Sequence, residues 1–76
     1  MTTIERIVKR YYDGDPLTND QLLALHDHCS RASAALWPMG ERFRLAWQAS
    51  HDAEEKTLYY IKNRGLTPIA DEKIAE

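Results

Sequence analysis

PLTNDQLLALHDHCSRASAALWPMG, residues 16–40, contains the strongest fold signals of this 76-residue chain. Thr18 stands three residues before Gln21, which is the spacing of a helix capping box. Apolar or small residues then follow at alternating steps of three and four, typical of a helix packed along a partner: Leu22, Leu25, Cys29, Ala32 and Leu36. The stretch ends in Trp37-Pro38-Met39-Gly40, which indicates a tight helix–helix connection. It therefore predicts a helix over residues 18–37 that leads into an antiparallel helical hairpin.

The second helix of this hairpin is predicted over residues 41–64. Lys62 and Arg64 suit the negative end of its dipole, and Gly65 suits a left-handed cap after its last turn. The predicted inner face comprises Phe43, Ala46, Ser50, Ala53, Thr57 and Tyr60. Three further apolar residues lie outside that seam: Trp47, Leu58 and Ile61. Because one antiparallel partner cannot cover so wide an apolar surface, we expect the N-terminal helix and another copy of the chain to cover the rest.

A short N-terminal helix is predicted within residues 1–13. Thr2 and Glu5 have the capping-box spacing, and one helical stripe follows: Ile4, Ile7, Val8, Tyr11 and Tyr12. The segment Asp13-Gly14-Asp15-Pro16 ends this helix, since Gly14 can adopt the left-handed conformation and Pro16 disfavours helical geometry before it. In the tail, residues 66–76, Thr67-Pro68 suits the start of a further short helix, although the tail could equally fray.

The whole chain, residues 1–76, is expected to be one all-α domain assembled as a homo-oligomer. A core of this size supplies only about 3–5 kcal/mol, and a single cysteine excludes an intrachain disulfide, so self-association is the remaining source of stability. No apolar run approaches the roughly 18 residues of a membrane span, and no signal-peptide core is present, which predicts a cytoplasmic protein without a membrane partner. A net charge of −2 argues against a general nucleic-acid binder.

Metal binding and catalysis are both disfavoured by the sequence. His26 and His28 point to nearly opposite sides of a helix, so the only workable metal site would join His26 to His51 and Asp52 across the hairpin. Polar residues at an interface rim are the favoured interpretation of these side chains. Cys29 lies on the apolar seam, where a thiol behaves as a small hydrophobe. We therefore expect no metal, no cofactor and no enzymatic activity.

Basic and aromatic side chains meet just before the hairpin. Lys9 and Arg10 stand beside Tyr11 and Tyr12, and the start of the next helix follows directly. Free backbone N–H groups at a helix start attract anions, and tyrosine can stack on a nucleobase. Together these groups suit a nucleotide. The alternative is a basic amphipathic helix whose tyrosines belong to the core, which the pattern alone favours.

The hairpin resembles that of phage anti-defence sponges, the small anti-CBASS and anti-Thoeris proteins that sequester cyclic nucleotide signals. In that family a short segment with an aromatic residue precedes a helix start of the form Leu-Ser/Thr-x-x-x-Ile/Leu. Here Tyr12 (or Tyr11) is followed by Leu17-Thr18-Asn19-Asp20-Gln21-Leu22, and the similarity spans residues 6–65. The chain departs from the family by placing Asp13-Gly14-Asp15-Pro16 before the helix, so which tyrosine corresponds stays open.

The resemblance implies a homo-oligomer, from dimer to hexamer, that holds a cyclic nucleotide between protomers and releases it unchanged. One implied pocket uses Lys9, Arg10, Tyr11 and Tyr12. A second implied pocket uses Thr57, Tyr60, Lys62 and Arg64. Without the resemblance, these residues indicate only a helix end whose cations match the helix dipole. Two other functions stay open: a helical protein–protein interaction module, such as an inhibitor of a host enzyme, and a purely structural oligomer.

Overall fold

The computed structural model describes residues 2–69, and these residues form three α-helices with no strand. The helices are α1 (Thr3–Tyr12), α2 (Asn19–Leu36) and α3 (Arg44–Asn63). Two short 3₁₀ turns, Trp37–Met39 and Glu41–Phe43, connect α2 to α3. The predicted all-α class is therefore confirmed for the described part of the chain. Ile69, directly after Pro68, has helical geometry, and the rest of a further helix would fall on residues 70–76, which lie outside the described residues.

Side-chain caps begin the first two helices where the sequence predicts them. The Thr18 hydroxyl accepts from Gln21 N–H at 3.1 Å, and the Gln21 side chain accepts from Thr18 N–H at 2.9 Å, so the capping box is complete. At α1 the Thr2 hydroxyl accepts from Glu5 N–H at 3.3 Å. Each cap satisfies backbone N–H groups that lack partners within the helix.

Helices α1 and α3 both end with a glycine that follows the last turn. Gly14 follows α1 with a φ of 80°, and Asp15 N–H donates to the Arg10 carbonyl at 2.9 Å. Gly65 follows α3 with a φ of 72°, and the next N–H donates to the Ile61 carbonyl at 3.0 Å. This six-to-one bond is the mark of a Schellman motif, which requires the left-handed conformation that glycine adopts without strain. Both predicted helix ends are confirmed.

The start of α3 differs from the prediction. The α-helix begins at Arg44, three residues after the predicted Glu41, because Phe43 has φ −110° and ψ 17° and so interrupts helical geometry. Gly40, with φ 81°, turns the chain before this 3₁₀ segment. No side chain caps α3. The connection is therefore longer and more irregular than a tight turn.

Helices α2 and α3 pack along each other, and α1 packs against the core cluster that they share. Asn19 Oδ1 accepts from Arg64 Nη1 at 3.1 Å, and Ser33 Oγ donates to Glu54 Oε2 at 2.8 Å. The central buried cluster consists of Ile7, Leu25, Cys29 and Ala53. Half-buried side chains of α1 and the following loop pack against it, namely Ile4, Val8, Tyr11 and Leu17.

The buried face of α3 is not the predicted one. Ile61 is 0% exposed, so the expectation that it lies outside the seam is wrong. Tyr60 and Ala46, which were assigned to the inner face, are exposed. The loop before α2 provides a second neighbour at this end of α3, because Arg64 Nη1 donates to the Leu17 carbonyl at 2.9 Å. Ile61 is buried at this end of α3 within a single chain.

Candidate functional site

Residues from both predicted pockets meet in one cleft. It has a volume of about 230 Å³ and lies where the end of α1, the loop before α2 and the end of α3 converge. Its lining comprises Tyr11, Gly14, Asp15, Pro16, Leu17, Leu22, Tyr60 and Arg64. Tyr11 comes from the first predicted set, whereas Tyr60 and Arg64 come from the second. The sequence analysis treated these sets as separate, and the structure brings them together.

Two arginines hold the loop that forms one wall of the cleft. Arg10 Nη2 donates to the Pro16 carbonyl at 2.9 Å, and Arg64 Nη1 donates to the Leu17 carbonyl and to Asn19 Oδ1. All of these acceptors are neutral oxygen atoms. Each guanidinium therefore keeps its positive charge uncompensated by these bonds, and each retains further N–H donors for an anion. The Asp15 carboxylate also lines the cleft and adds a negative charge there.

The two adjacent tyrosines of α1 have different environments. Tyr11 is half-buried, packs against the core cluster and lines the cleft. Burial raises the pKa of the Tyr11 hydroxyl, and the neighbouring Tyr60, Tyr12 and Cys29 raise it further, so it stays protonated and can donate a hydrogen bond. Tyr12 is 68% exposed and meets Tyr11 edge-on, with 5.3 Å between ring centroids. Tyr11 is therefore the cleft residue of the pair, and Tyr12 lies outside the cleft lining.

Lys9 pairs with a carboxylate at the end of its own helix. Its ammonium forms an exposed ion pair with Asp13, at 2.8 Å from Nζ to Oδ2. The hydrogen bond that Lys9 donates to Asp13, and then the charge of that carboxylate, raise the pKa of Lys9. Lys9 is not part of the cleft lining, and an exposed pair one helical turn apart contributes little to stability.

Thr57 and Lys62, from the second predicted set, do not line the cleft. Thr57 is fully buried, and its hydroxyl donates to the Ala53 carbonyl at 2.6 Å and accepts from His26 Nδ1 at 2.9 Å. Its polar atom is thus committed inside the protein. Lys62 is exposed in the last turn of α3. Sequence periodicity placed Thr57 and Tyr60 on one face, but burial separates them.

His26 and His51 both make side-chain contacts within the described part of the chain. His26 is buried, and its Nδ1 lies 3.0 Å from the Glu54 carbonyl, which can only accept, so Nδ1 carries the proton. His51 stacks on Trp47 with 4.9 Å between ring centroids and lies 3.0 Å from Glu55 Oε1. Within residues 2–69, no three His, Cys, Asp or Glu side chains are placed to hold a metal ion. The Glu54 side chain accepts a hydrogen bond from Ser33 Oγ on α2, a contact that the sequence analysis did not predict.

Cys29 is buried in the core cluster, as predicted. Burial raises the pKa of its thiol, and the nearby carboxylate of Glu54 raises it further. A protonated, enclosed thiol is a poor nucleophile. Cys29 therefore contributes packing.

A second, larger cavity lies at the opposite end of α3, beside the connection from α2. It is an open groove of about 560 Å³ lined by Leu36, Trp37, Gly40, Glu41, Arg44, Trp47 and Gln48. The rings of Trp37 and Trp47 lie 4.8 Å apart at 51°, and the Trp37 side chain is 68% exposed. Sequence reasoning recognised Trp47 as surplus apolar surface, but it assigned Trp37 only to a turn. A tryptophan within a helix–helix connection is the sequence feature that could have indicated this groove.

Comparisons with protein-family models, curated proteins and solved structures give no significant match to this chain. Among the described residues, no helix has the length and apolar character required to cross a bilayer.

Proposed function

We propose that this chain is a binding protein that captures a small cyclic nucleotide in the cleft between Tyr11 and Tyr60 and releases it unchanged. The observation that supports this function is the meeting of two tyrosines with the positively charged Arg64 at one point of the fold. Tyrosine rings stack on nucleobases, and a guanidinium binds a phosphate through paired hydrogen bonds. Tyr11 is far from Tyr60 and Arg64 in the sequence, so no single motif contains all three residues.

The size of the cleft favours capture by more than one copy. Its volume of about 230 Å³ is below the range of about 300–1,000 Å³ that is usual for pockets that enclose a small molecule. One chain would cover only part of a nucleotide, and a second copy would cover the rest. The proposed assembly is therefore a homo-oligomer, from dimer to hexamer, of antiparallel α2–α3 hairpins. The contacts of Asn19 with Arg64 and of Ser33 with Glu54 support the antiparallel arrangement.

Sequestration without chemistry agrees with the state of the reactive side chains. The Cys29 thiol is buried with a raised pKa, and the His26 ring is committed to hydrogen bonds with Glu54 and Thr57. We propose a cytoplasmic site of action, and the host cytoplasm if a phage encodes the chain, since the cyclic nucleotides of anti-phage defence are found there.

A thermal-shift screen tests this function directly. Purified chain is heated with cyclic dinucleotides, cyclic trinucleotides and cyclic ADP-ribose isomers, each in excess. A ligand at about 100 times its Kd adds about 2.7 kcal/mol to the free energy of unfolding and raises the melting temperature. Chromatography of the heated complex should return the nucleotide intact. No shift with any of these compounds would contradict the proposal.

Tyr60 and Tyr59 offer a matched pair for locating the site. They are neighbours on α3 with 5.8 Å between ring centroids, and only Tyr60 lines the cleft. Tyr60→Ala should weaken binding by roughly 5- to 150-fold if its ring stacks on a base. Tyr59→Ala should leave the affinity within about twofold. Equal losses in both variants would place the ligand elsewhere.

A protein–protein interaction module is the second candidate function. It is favoured by the apolar side chains that remain exposed at the connection between α2 and α3, among them Trp37, Met39 and Leu45. Such a surface could bind an apolar patch on a host enzyme. A null result in the nucleotide screen, together with retained structure, would favour this function.

A further inference from the structure

Four large apolar side chains form an exposed surface at the end of the molecule where α2 connects to α3. Their exposed fractions run from 39% to 82%, and the surface comprises Trp37, Met39, Phe43 and Leu45. Taking about 200 Å² as the area of one large apolar side chain, their exposed parts amount to roughly 500 Å². The largest apolar patch on a typical monomer measures about 300–600 Å² and often serves an interaction, so this surface is a candidate interaction site.

The same surface carries a protrusion and a recess. Leu45 is 82% exposed at the start of α3 and projects from the surface. The groove of about 560 Å³ lies beside it, with Trp37 and Trp47 in its walls and Gly40, which has no side chain, at its edge. A two-fold contact is self-complementary, because each copy presents both members of every contacting pair. An apolar protrusion next to an apolar recess meets that requirement.

Charge at the groove is also self-complementary. Glu41 and Arg44 line it, are largely exposed and approach each other only to 4.0 Å within the chain. So long a separation leaves both groups free to bind other partners. Two copies related by a two-fold axis can set each Glu41 against the Arg44 of the other copy, which gives two ion pairs. A different protein whose surface carried only one sign of charge would leave either Glu41 or Arg44 without an opposite charge.

We infer that this surface, formed by Trp37, Met39, Phe43 and Leu45 with Glu41 and Arg44 at its rim, is where two copies of the chain associate. The apolar part supplies roughly 500 Å² per copy, and the groove walls and rim supply the remainder of the roughly 800 Å² per partner of a standard interface. The inference rests on the self-association included in the proposed function, and it adds a second contact between copies, at a specific surface, to the contact at the cleft. It is independent of the ligand, since the cleft lies at the other end of α3, a helix about 30 Å long.

Sedimentation equilibrium of wild-type and variant chains tests this inference. The wild type should dimerise or form larger species through this contact at micromolar concentration. Leu45→Glu should weaken the association at least about 30-fold, because a charge would enter an apolar interface. Tyr59→Glu is the matched control, since Tyr59 is 63% exposed on the same helix about 21 Å away, and it should associate like the wild type. Met39→Glu provides a second variant at the surface, and circular dichroism verifies that each variant is folded.

Charge reversal tests the two-fold geometry. Glu41→Arg and Arg44→Glu should each weaken association, by up to about fivefold per ion pair lost. An equimolar mixture of these two variants should regain it, because the heterodimer restores both opposite-charge contacts. A mixture that associates no better than its components would overturn the two-fold pairing.

The remaining outcomes separate this inference from the proposed function. If Leu45→Glu associates like the wild type, the copies meet at another surface and the inference is overturned, although self-association stands. A wild type that stays monomeric overturns both the inference and the proposed assembly. The nucleotide thermal shift reports on ligand capture in either case, and Leu45→Glu should bind nucleotide like the wild type, because Leu45 lies outside the cleft lining.

Discussion

His26 and Thr57 share a buried hydrogen bond, 2.9 Å from Nδ1 to Oγ1, that joins the middle of α2 to α3. Thr57 donates in turn to the Ala53 carbonyl, and His26 also bonds the Glu54 carbonyl. A buried polar group without a partner costs about 1–3 kcal/mol. The pair therefore specifies how α2 and α3 align, and it removes Thr57 from any ligand surface.

Thr57→Val should lower the free energy of unfolding by about 1–2 kcal/mol, because it deletes the hydroxyl at nearly constant volume. His26 keeps its bond to the Glu54 carbonyl, which limits the loss. Urea unfolding measures the change, and Thr67→Val at an exposed position serves as the control. Any nucleotide affinity should be unchanged in the folded fraction. A variant of normal stability that lost affinity would restore Thr57 as a binding residue.

The adjacent tyrosines of α1 should respond differently to truncation. Tyr11→Ala removes a half-buried ring from the core edge and should cost about 2 kcal/mol of stability, less than the 3–5 kcal/mol of a fully buried aromatic. Tyr12→Ala should change stability by less than about 0.5 kcal/mol, since that ring is largely exposed. Thermal denaturation followed by circular dichroism distinguishes the two.

Tyr11→Phe isolates the role of the cleft hydroxyl. This substitution keeps the ring and its packing, so the free energy of unfolding should not change. The nucleotide affinity should fall a few-fold, because one hydrogen bond is lost. Tyr12→Phe should change neither quantity. Loss of affinity in Tyr12→Phe alone would assign the ligand to the exposed ring instead.

Arg64 should contribute both to the shape of the cleft and to anion binding. Arg64→Lys keeps the charge but cannot reproduce the paired bonds to Leu17 and Asn19, so it should cost about 1 kcal/mol of stability and also lower nucleotide affinity. The affinity lost in Arg64→Ala should diminish at high salt, since the contact is electrostatic. Lys62→Ala is the control, because Lys62 lies at the same helix end but outside the cleft lining. If Lys62→Ala lost as much nucleotide affinity as Arg64→Ala, the ligand would be attracted by positive charge in general and not bound by Arg64.

Cys29 should make stability depend on pH at the alkaline end. Burial raises the pKa of its thiol in the folded state above the ordinary value of 9.0. Above that value the unfolded chain loses the proton first, so the free energy of unfolding should fall as the pH rises past about 9. Cys29→Ala should remove this slope. Tyr11 has a raised pKa as well and adds a similar decline only above its ordinary 10.0, so the comparison is made between pH 9 and 10.

Thiol labelling measures the burial of Cys29 independently. A water-soluble disulfide reagent should react slowly with the native protein and rapidly in urea. Cys29→Ser should cost about 1–3 kcal/mol, since it places a hydroxyl in an apolar site, while the folded fraction binds nucleotide normally. Rapid labelling of the native chain would contradict the burial.

Most of the helix boundaries were predictable because caps are local. The Thr18–Gln21 box and the glycines after α1 and α3 act within a few residues, so spacing alone identifies them. The first residues of α3 were not predictable in this way, because Phe43 leaves helical geometry with no local signal such as a proline at that position.

Local sequence features are enough to predict the three helices, the burial of Cys29 and the basic–aromatic cluster around Tyr11. The meeting of Tyr11 with Tyr60 and Arg64 in one cleft, and the burial of Ile61, depend on how the helices pack. Helical periodicity states which residues share a face, but it does not state which neighbour covers that face. Here the loop that ends α1 packs against the end of α3, through a bond between residues 47 positions apart in the chain, and that contact creates the cleft.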